Sequence, residues 1–154
     1  MVDVVIRDAQ PGDIDELIAN LRACDRLEVE SSAGRRRWEH AIRSAERCSL
    51  YAKTALADGK LANMFGVTAI DFVQGVGSPW MLATPVFDAH PRAVIRLCRG
   101  YIPPMLALFP HLINHVDARN VRSVAWLRWL GFEMHAPEPY GPYGVPFHKF
   151  EMRA

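Results

Sequence analysis

A mixed α/β fold in one domain is what the sequence predicts, on three observations. Some short apolar runs alternate with period two. Others repeat at i, i+3, i+4 and i+7, and the two kinds interleave along the chain. Their order is β-α-α-β-β-β-α-β-α-β-β, which implies a mixed sheet with helices on its faces. A chain of 154 residues suits a single domain, 1–154, that buries about two thirds of its unfolded surface. No repeat, low-complexity run or linker divides it.

Val2, Val4 and Ile6 give the first strand one strongly apolar face. Gln10-Pro11 then opens a helix, with Pro11 expected at the first helical position and Asp13 and Glu16 in the first turn. Ile14, Leu17, Ile18 and Leu21 form its apolar stripe. The polar stretch "CDRLEVESSAGRRR" reads as a connection to a second helix, striped by Trp38, Ala41, Ile42 and Ala45. "SLYAKTAL" and "KLANMFGVTAI" read as strands joined at Asp58-Gly59, a hairpin-turn pair. "DFVQGVGSP" reads as a loop and "WMLATPVF" as the next strand. The segment from His90 to Pro110 is helical in pattern, with Val94, Leu97, Cys98, Tyr101, Met105 and Leu108 near one face. Pro103-Pro104 predicts a kink or break in it. "HLINHVDA" is a strand, "NVRSVAWLRWL" a helix, and "FEMHA" and "FHKFEM" two last strands around a Pro/Gly-rich loop.

Composition removes several function classes. A net charge of +1 argues against nucleic-acid binding driven by overall electrostatics. Cys24, Cys48 and Cys98 are odd in number and include no CxxC pair, so reduced and mostly buried thiols are expected. Asp3, Arg7 and Asp8 interrupt any signal-peptide core, and no apolar run approaches the ~18 residues of a membrane span. A soluble, cytosolic protein without membrane contact is the expectation.

The helix near the C-terminus is the most informative stretch. Asn120 is a good N-cap and Gly131 the usual residue just past a helix end. Between them only Arg122, Ser123 and Arg128 are polar, which predicts burial on several sides or cover by a partner. Core packing is the first account of Trp126 and Trp129, and a protein interface or self-association the second.

Asn120, Ser123, Gly131 and Phe132 stand at the spacing found in the GNAT superfamily of acyl-CoA-dependent N-acetyltransferases, which the whole element order also resembles. "IRDAQPGDIDELI" looks like that family's first strand and helix. A narrower resemblance is to the acetyltransferase-like proteins of short-tailed bacteriophages, one of them an internal virion protein. It rests on "PWMLATP", a basic helix without the CoA loop, and the "N-x-V-x-x-x-N-x-x-S" run. The resemblance implies a GNAT-like fold, a phage or prophage origin, and acetyl-CoA as the cofactor if the protein is an enzyme. It also implies cofactor-binding roles for Asn120 and Ser123, while Arg92 reads either as a side-chain anchor for the phosphates or as a plain surface helix arginine.

Two family features are missing. The pyrophosphate loop, Q/R-x-x-G-x-G/A, uses backbone N–H groups and glycines to hold phosphates. Here the segment is "TPVFDAHPRAV", with no glycine, with Asp88 adding negative charge and with Pro91 lacking a donor. Each charge-assisted hydrogen bond lost is worth ~1.5–3 kcal/mol, so losing two or three weakens binding about a thousandfold or more. The family's general acid, a Tyr seven residues after the Asn, falls on Leu127. Losing a positioned acid costs about 10²–10⁴ in rate.

No other array supplies obvious chemistry. His90, His111 and His115 are candidate bases, each more simply a structural histidine. On a strand His111 and His115 stand ~13 Å apart, so a metal site is not expected from them. Arg35, Arg36 and Arg37 suit a solvated helix face better than a grip on CoA's adenosine phosphate. "PYGPYGVPFH" suits either a recognition loop or a plain strand connection. The sequence therefore favours a degenerate GNAT-like protein that binds, as a virion or host-takeover component. Its rivals are an active N-acetyltransferase with unconventional anchors and an acyl-CoA sensor without turnover.

Overall fold

Eight strands make one sheet in the order β1-β2-β3-β4-β5-β8-β6, with β7 paired to β8. The computed structural model describes residues 1–154. Its strands are β1 (Val4–Asp8), β2 (Ser49–Ala57), β3 (Lys60–Asp71), β4 (Val76–Ala83), β5 (His111–Asp117), β6 (Glu133–Met134), β7 (Glu138–Tyr140) and β8 (Val145–Arg153). The helices are α1 (Asp13–Ala19), α2 (Ala23–Ala33), α3 (Trp38–Cys48), α4 (Pro85–Ala89), α5 (Pro91–Cys98), α6 (Ile102–Leu108) and α7 (Val121–Leu130). Every neighbouring pair is antiparallel except β4–β5. The mixed α/β class expected from the periodicity is the one observed.

Apolar clusters flank the sheet. Leu17 and Ile42 pack with Leu61, Met64 and Leu82, joining α1 and α3 to β3 and β4. The larger cluster holds Phe87, Val94, Ile95, Cys98, Met105, Val124 and Phe132 against Phe65, Val67, Leu112 and Phe150. Asp58 and Gly59 both take positive φ, 49° and 78°, as a tight hairpin turn requires, and Ala57 faces Lys60 across it.

Several expectations need correction. The helix expected at Pro11 begins at Asp13, because Gly12 at φ 94° turns the chain first. Asp13 then anchors the turn, accepting from the Gln10 N–H at 2.8 Å and the Thr54 hydroxyl at 2.8 Å. The polar stretch read as a connection contains α2. This helix has almost no apolar stripe and is fastened by charged side chains, so periodicity could not reveal it. The strand read through Phe87 stops at Ala83, where the Thr84 hydroxyl caps α4 by accepting from the Val86 N–H. The segment read as a Gly-rich loop is mostly strand, and only residues 72–75 turn. The helical segment is broken, but ahead of the prolines: a 3-10 turn over Arg99–Tyr101 separates α5 from α6, and Pro103 and Pro104 sit in the first turn of α6, where no N–H is needed. Ile95 is buried there while Leu97 and Leu108 are about half exposed, at 47% and 48%. β7 adds a strand inside the Pro/Gly-rich connection.

The thiols also differ from expectation: all are free, but only Cys98 is buried, and Cys24 and Cys48 are exposed. Burial pushes the Cys98 thiol up to about 11. Thiol titration of the native protein at pH 8 should count two reactive cysteines, with the third appearing only on denaturation. Three equally fast thiols would contradict the burial of Cys98 at the end of α5.

Candidate functional site in the cleft between β4 and β5

β4 and β5 pair only at Val76–His111 and Gly77–Leu112, and then part. Pro79, just beyond, has no N–H to offer either neighbour. Its carbonyl accepts from Asn114 Nδ2 at 2.7 Å, the one side-chain bridge across the parting strands. The cleft opens into a cavity of about 310 Å³ lined largely by apolar side chains. α2 and α3 wall one side, α5 to α7 the other, and Tyr140 of β7 closes part of it.

The polar groups facing this space are few. Glu28 on α2 accepts from the Asp117 N–H at 2.8 Å, at the end of β5. Burial pushes its carboxyl up to about 8; the Asp117 N–H opposes the rise, and the charges of Asp25 and Asp117 add to it. His115 stacks on Tyr140 with ring centroids 4.1 Å apart. Burial, and then the charge of Lys149, hold its imidazole below the ordinary value, so it is neutral at pH 7. The cavity therefore presents a carboxyl that keeps its proton at neutral pH and an uncharged imidazole, a pair suited to proton exchange with a bound amine or thiol.

α7 supplies the opposite wall. The Asn120 side chain accepts from the Ser123 N–H at 3.3 Å, which is the expected cap. Gly131 takes φ 104° just past the helix end, as a left-handed C-terminal residue does. Ser123, Trp126 and Leu127 line the cavity, whereas Asn120 and Arg92 do not. Asn120 Nδ2 and Trp126 Nε1 are buried donors without partners. Burial of this helix on several sides is not observed: Val121 is 73% exposed and Trp129 44%, the latter beneath the Arg99 guanidinium at 4.8 Å. Of the tryptophans, Trp126 belongs to the site and Trp129 to the surface.

The segment after β4 is a short helix in place of a loop. The Phe87 N–H bonds to the Thr84 carbonyl and the His90 N–H to the Phe87 carbonyl, while Phe87 is fully buried. Asp88 accepts from Arg22 at 3.0 Å and lies 3.6 Å from Arg122. Arg92, in the first turn of α5, is exposed and has no ion pair. His90 sits between α4 and α5, half-buried.

The remaining sequence candidates scatter. His111 leaves the cleft and meets Glu151 at 3.6 Å. Arg35, Arg36 and Arg37 lie in the turn between α2 and α3, not on a helix face, and the Arg35 guanidinium stacks over Tyr143. "PYGPYG" forms β7 and its turn. Gly141, at φ 74°, approaches α2 so closely that a Cβ there would stand 2.4 Å from the Ser31 carbonyl. Sequence reasoning missed Glu28 and Asn114. Glu28 lay in a run that looked like solvent-facing connection, and no spacing signal marked it.

No protein-family model matches the chain, and no curated protein matches its sequence. Solved structures match it in three dimensions. An aminoglycoside N(6')-acetyltransferase from Legionella pneumophila superposes with a TM-score of 0.73 at 9% identity, over 97% of this chain and 91% of that one. A GNAT-family acetyltransferase from Streptococcus pneumoniae gives 0.67 at 17%, over 99% and 100%. The fold is the GNAT acetyltransferase fold. A phosphinothricin acetyltransferase of the GNAT superfamily from Sinorhizobium meliloti, solved with acetyl-CoA, gives 0.67 at 15%, over 97% and 88%. At these identities the likeness is one of fold, so what this GNAT-fold chain does must be argued from its own site.

Two measurements test the geometry. Removing the cap with Asn120→Ala should cost about 1 kcal/mol, a fall of about 3 °C in Tm; an unchanged Tm would remove the cap from the account of α7. Glu28 should carry a pH signature. The unfolded carboxyl ionises near its ordinary 4.5 while the folded one keeps its proton to about 8. The fold binds more protons between those values, so stability falls as pH rises through them. Glu28→Gln should match the parent Tm at pH 4 and exceed it by about 3–8 °C at pH 8. A variant with the parent's pH slope would assign the titration to another group.

Proposed function

We propose that the chain is a phage or prophage GNAT-fold, acetyltransferase-like protein that keeps the cleft but not the usual CoA-phosphate cradle, and works by binding. Its setting is a virion-associated or host-takeover component in a bacterial cell. The observation that carries this is α4. Where phosphates need free backbone N–H groups, this helix spends them internally, buries Phe87 and presents Asp88. Asp88 already serves as the anion for Arg22 and Arg122, so a pyrophosphate would have to displace a carboxylate. Leu127, at the wall of the cavity, has no proton to give a departing thiolate.

A second reading, an active acetyl-CoA-dependent N-acetyltransferase, is favoured by Glu28. A cavity carboxyl that ionises at about 8 is matched to taking a proton from an attacking amine. Ser123 at the wall and Asn120 with its unpartnered Nδ2 would hold the pantetheine arm, and the exposed Arg92 would meet the phosphates. The S–acyl bond would break as the N–acyl bond forms, with Glu28 receiving the amine proton and water protonating the thiolate.

Calorimetric titration with acetyl-CoA and with CoA separates the two. The binding role predicts no heat of association up to millimolar ligand and no acetyl transfer to a panel of polyamines, aminoglycosides and peptide N-termini. Micromolar affinity, with turnover that rises through pH 8 and collapses in Glu28→Gln, would establish the enzyme instead.

A further inference from the structure

On the part of the sheet beyond the cleft, side chains from three neighbouring strands converge on Glu151. It projects from β8 opposite Ile113 of β5 and Glu133 of β6. Glu151 Oε2 is 3.2 Å from His135 Nε2 and Oε1 is 3.6 Å from His111 Nε2. The ligand atoms of Glu133, His135 and Glu151 all lie within 4.8 Å of one another. His111 and Glu151 are largely buried, with side chains 17% and 13% exposed. Both imidazole Nε2 atoms are buried without a hydrogen-bond partner. Unpartnered buried nitrogens are uncommon in native proteins, and here two of them face the same carboxylate.

We propose that Glu133, His135 and Glu151 form a three-ligand site for a zinc-type divalent transition ion, with water in the fourth position, fastening β6 to β8. The separations suit it. Ligands at ~2.0–2.2 Å from a tetrahedral zinc stand about 3.3–3.5 Å apart, close to the 3.2 Å between His135 Nε2 and Glu151 Oε2. An imidazole with two carboxylates favours zinc or its neighbours over calcium and magnesium, which take oxygen ligands. His135 binds through the Nε2 that now lacks a partner, and the ion replaces its contact with the carboxylate, while His111 stays against the other oxygen of Glu151. Other cations already attend Glu151: Lys149 Nζ at 3.5 Å and Arg153 Nε at 3.8 Å, 41% and 69% exposed. Lys149 is the competitor an ion displaces, and its exposed side chain is free to swing into solvent. The strand spacing that separates His111 from His115 does not bear on the site, because its ligands lie outside β5.

The test uses the full chain stripped with chelator and titrated with zinc chloride and, in parallel, cobalt chloride. One equivalent should bind at pH 7.5, raise Tm reversibly, and give the intense visible absorption of four-coordinate cobalt. His135→Ala and Glu133→Gln, at the more exposed positions, should each weaken zinc at least about 100-fold, the upper end of the roughly 10–100-fold lost with a supporting outer contact. Lys149→Met should bind about tenfold more tightly, since the competitor is gone; a tenfold change is 1.4 kcal/mol. Absence of binding at 100 micromolar zinc, far above the roughly 50 nanomolar or tighter that structural zinc binding implies, overturns the proposal. So do the weak bands of six-coordinate cobalt, or affinity undiminished in both ligand variants.

Discussion

The Arg22–Asp25 pair at the end of β4 is the contact on which the site depends. Asp25 is almost fully buried and accepts twice from Arg22, at 2.9 and 3.0 Å, and once from the Ala83 N–H at 2.9 Å. The Arg22 N–H returns a bond to the Ala83 carbonyl, and its guanidinium reaches Asp88 on α4. One ion pair thus locks α2, the last residue of β4 and α4 together. Glu28 follows Asp25 by three residues, so the same lock brings it to the end of β5. Buried pairs of this kind gain little net stability, yet losing one partner costs about 3–5 kcal/mol because the other charge is stranded. Its contribution here is position.

That arrangement explains why the fold was legible in the sequence and the site was not. Apolar stripes expose themselves as periods, so α1, α3, α7 and the long strands other than the first half of β4 could be read from Leu17, Ile42, Val124 and their neighbours. The tight turn at Asp58-Gly59 and the cap at Asn120 are local chemistry and were equally plain. α2 is held by Arg22, Asp25 and Glu28, whose partners are backbone groups more than fifty residues away in β4 and β5. No local pattern encodes such bonds. The C-terminal helix differs in the opposite sense: its apolar run suggested burial on several sides or cover by a partner, and within the chain Val121 and Trp129 face outwards.

Charge balance links α4 to the wall of the cavity. Arg22 is buried and Arg122 exposed, and both turn to Asp88. An aspartate at this point satisfies the guanidinium that an external anion would otherwise neutralise, so the end of β4 is complete without a ligand. The cavity below it is apolar and already carries its proton on Glu28 at neutral pH. Such a space accepts an uncharged or thioester-like group far more readily than a dianion, because an unpaired charge there would have no compensating partner.

β5 is shared by two chemistries along its length, and strand geometry keeps them apart. His111 lies where β5 still pairs with β4, and it turns to Glu151, which also meets His135 and Glu133 of the β6 edge. Asn114 and His115 lie where β5 has left β4, and they face the cleft. The parting removes the ladder bonds that would hold this end of β5 on the β4 side, leaving Asn114–Pro79 and Glu28–Asp117 to fix the gap. On its other side β5 remains paired with β8 along its full length, from His111–Arg153 to Asp117–Phe147. The rigidity of the open wall is therefore inherited from β8. Anything that stiffens the β5–β8–β6 edge also fixes the width of the cleft, since beyond Gly77 β4 offers β5 no ladder bond, only the Pro79 carbonyl to Asn114.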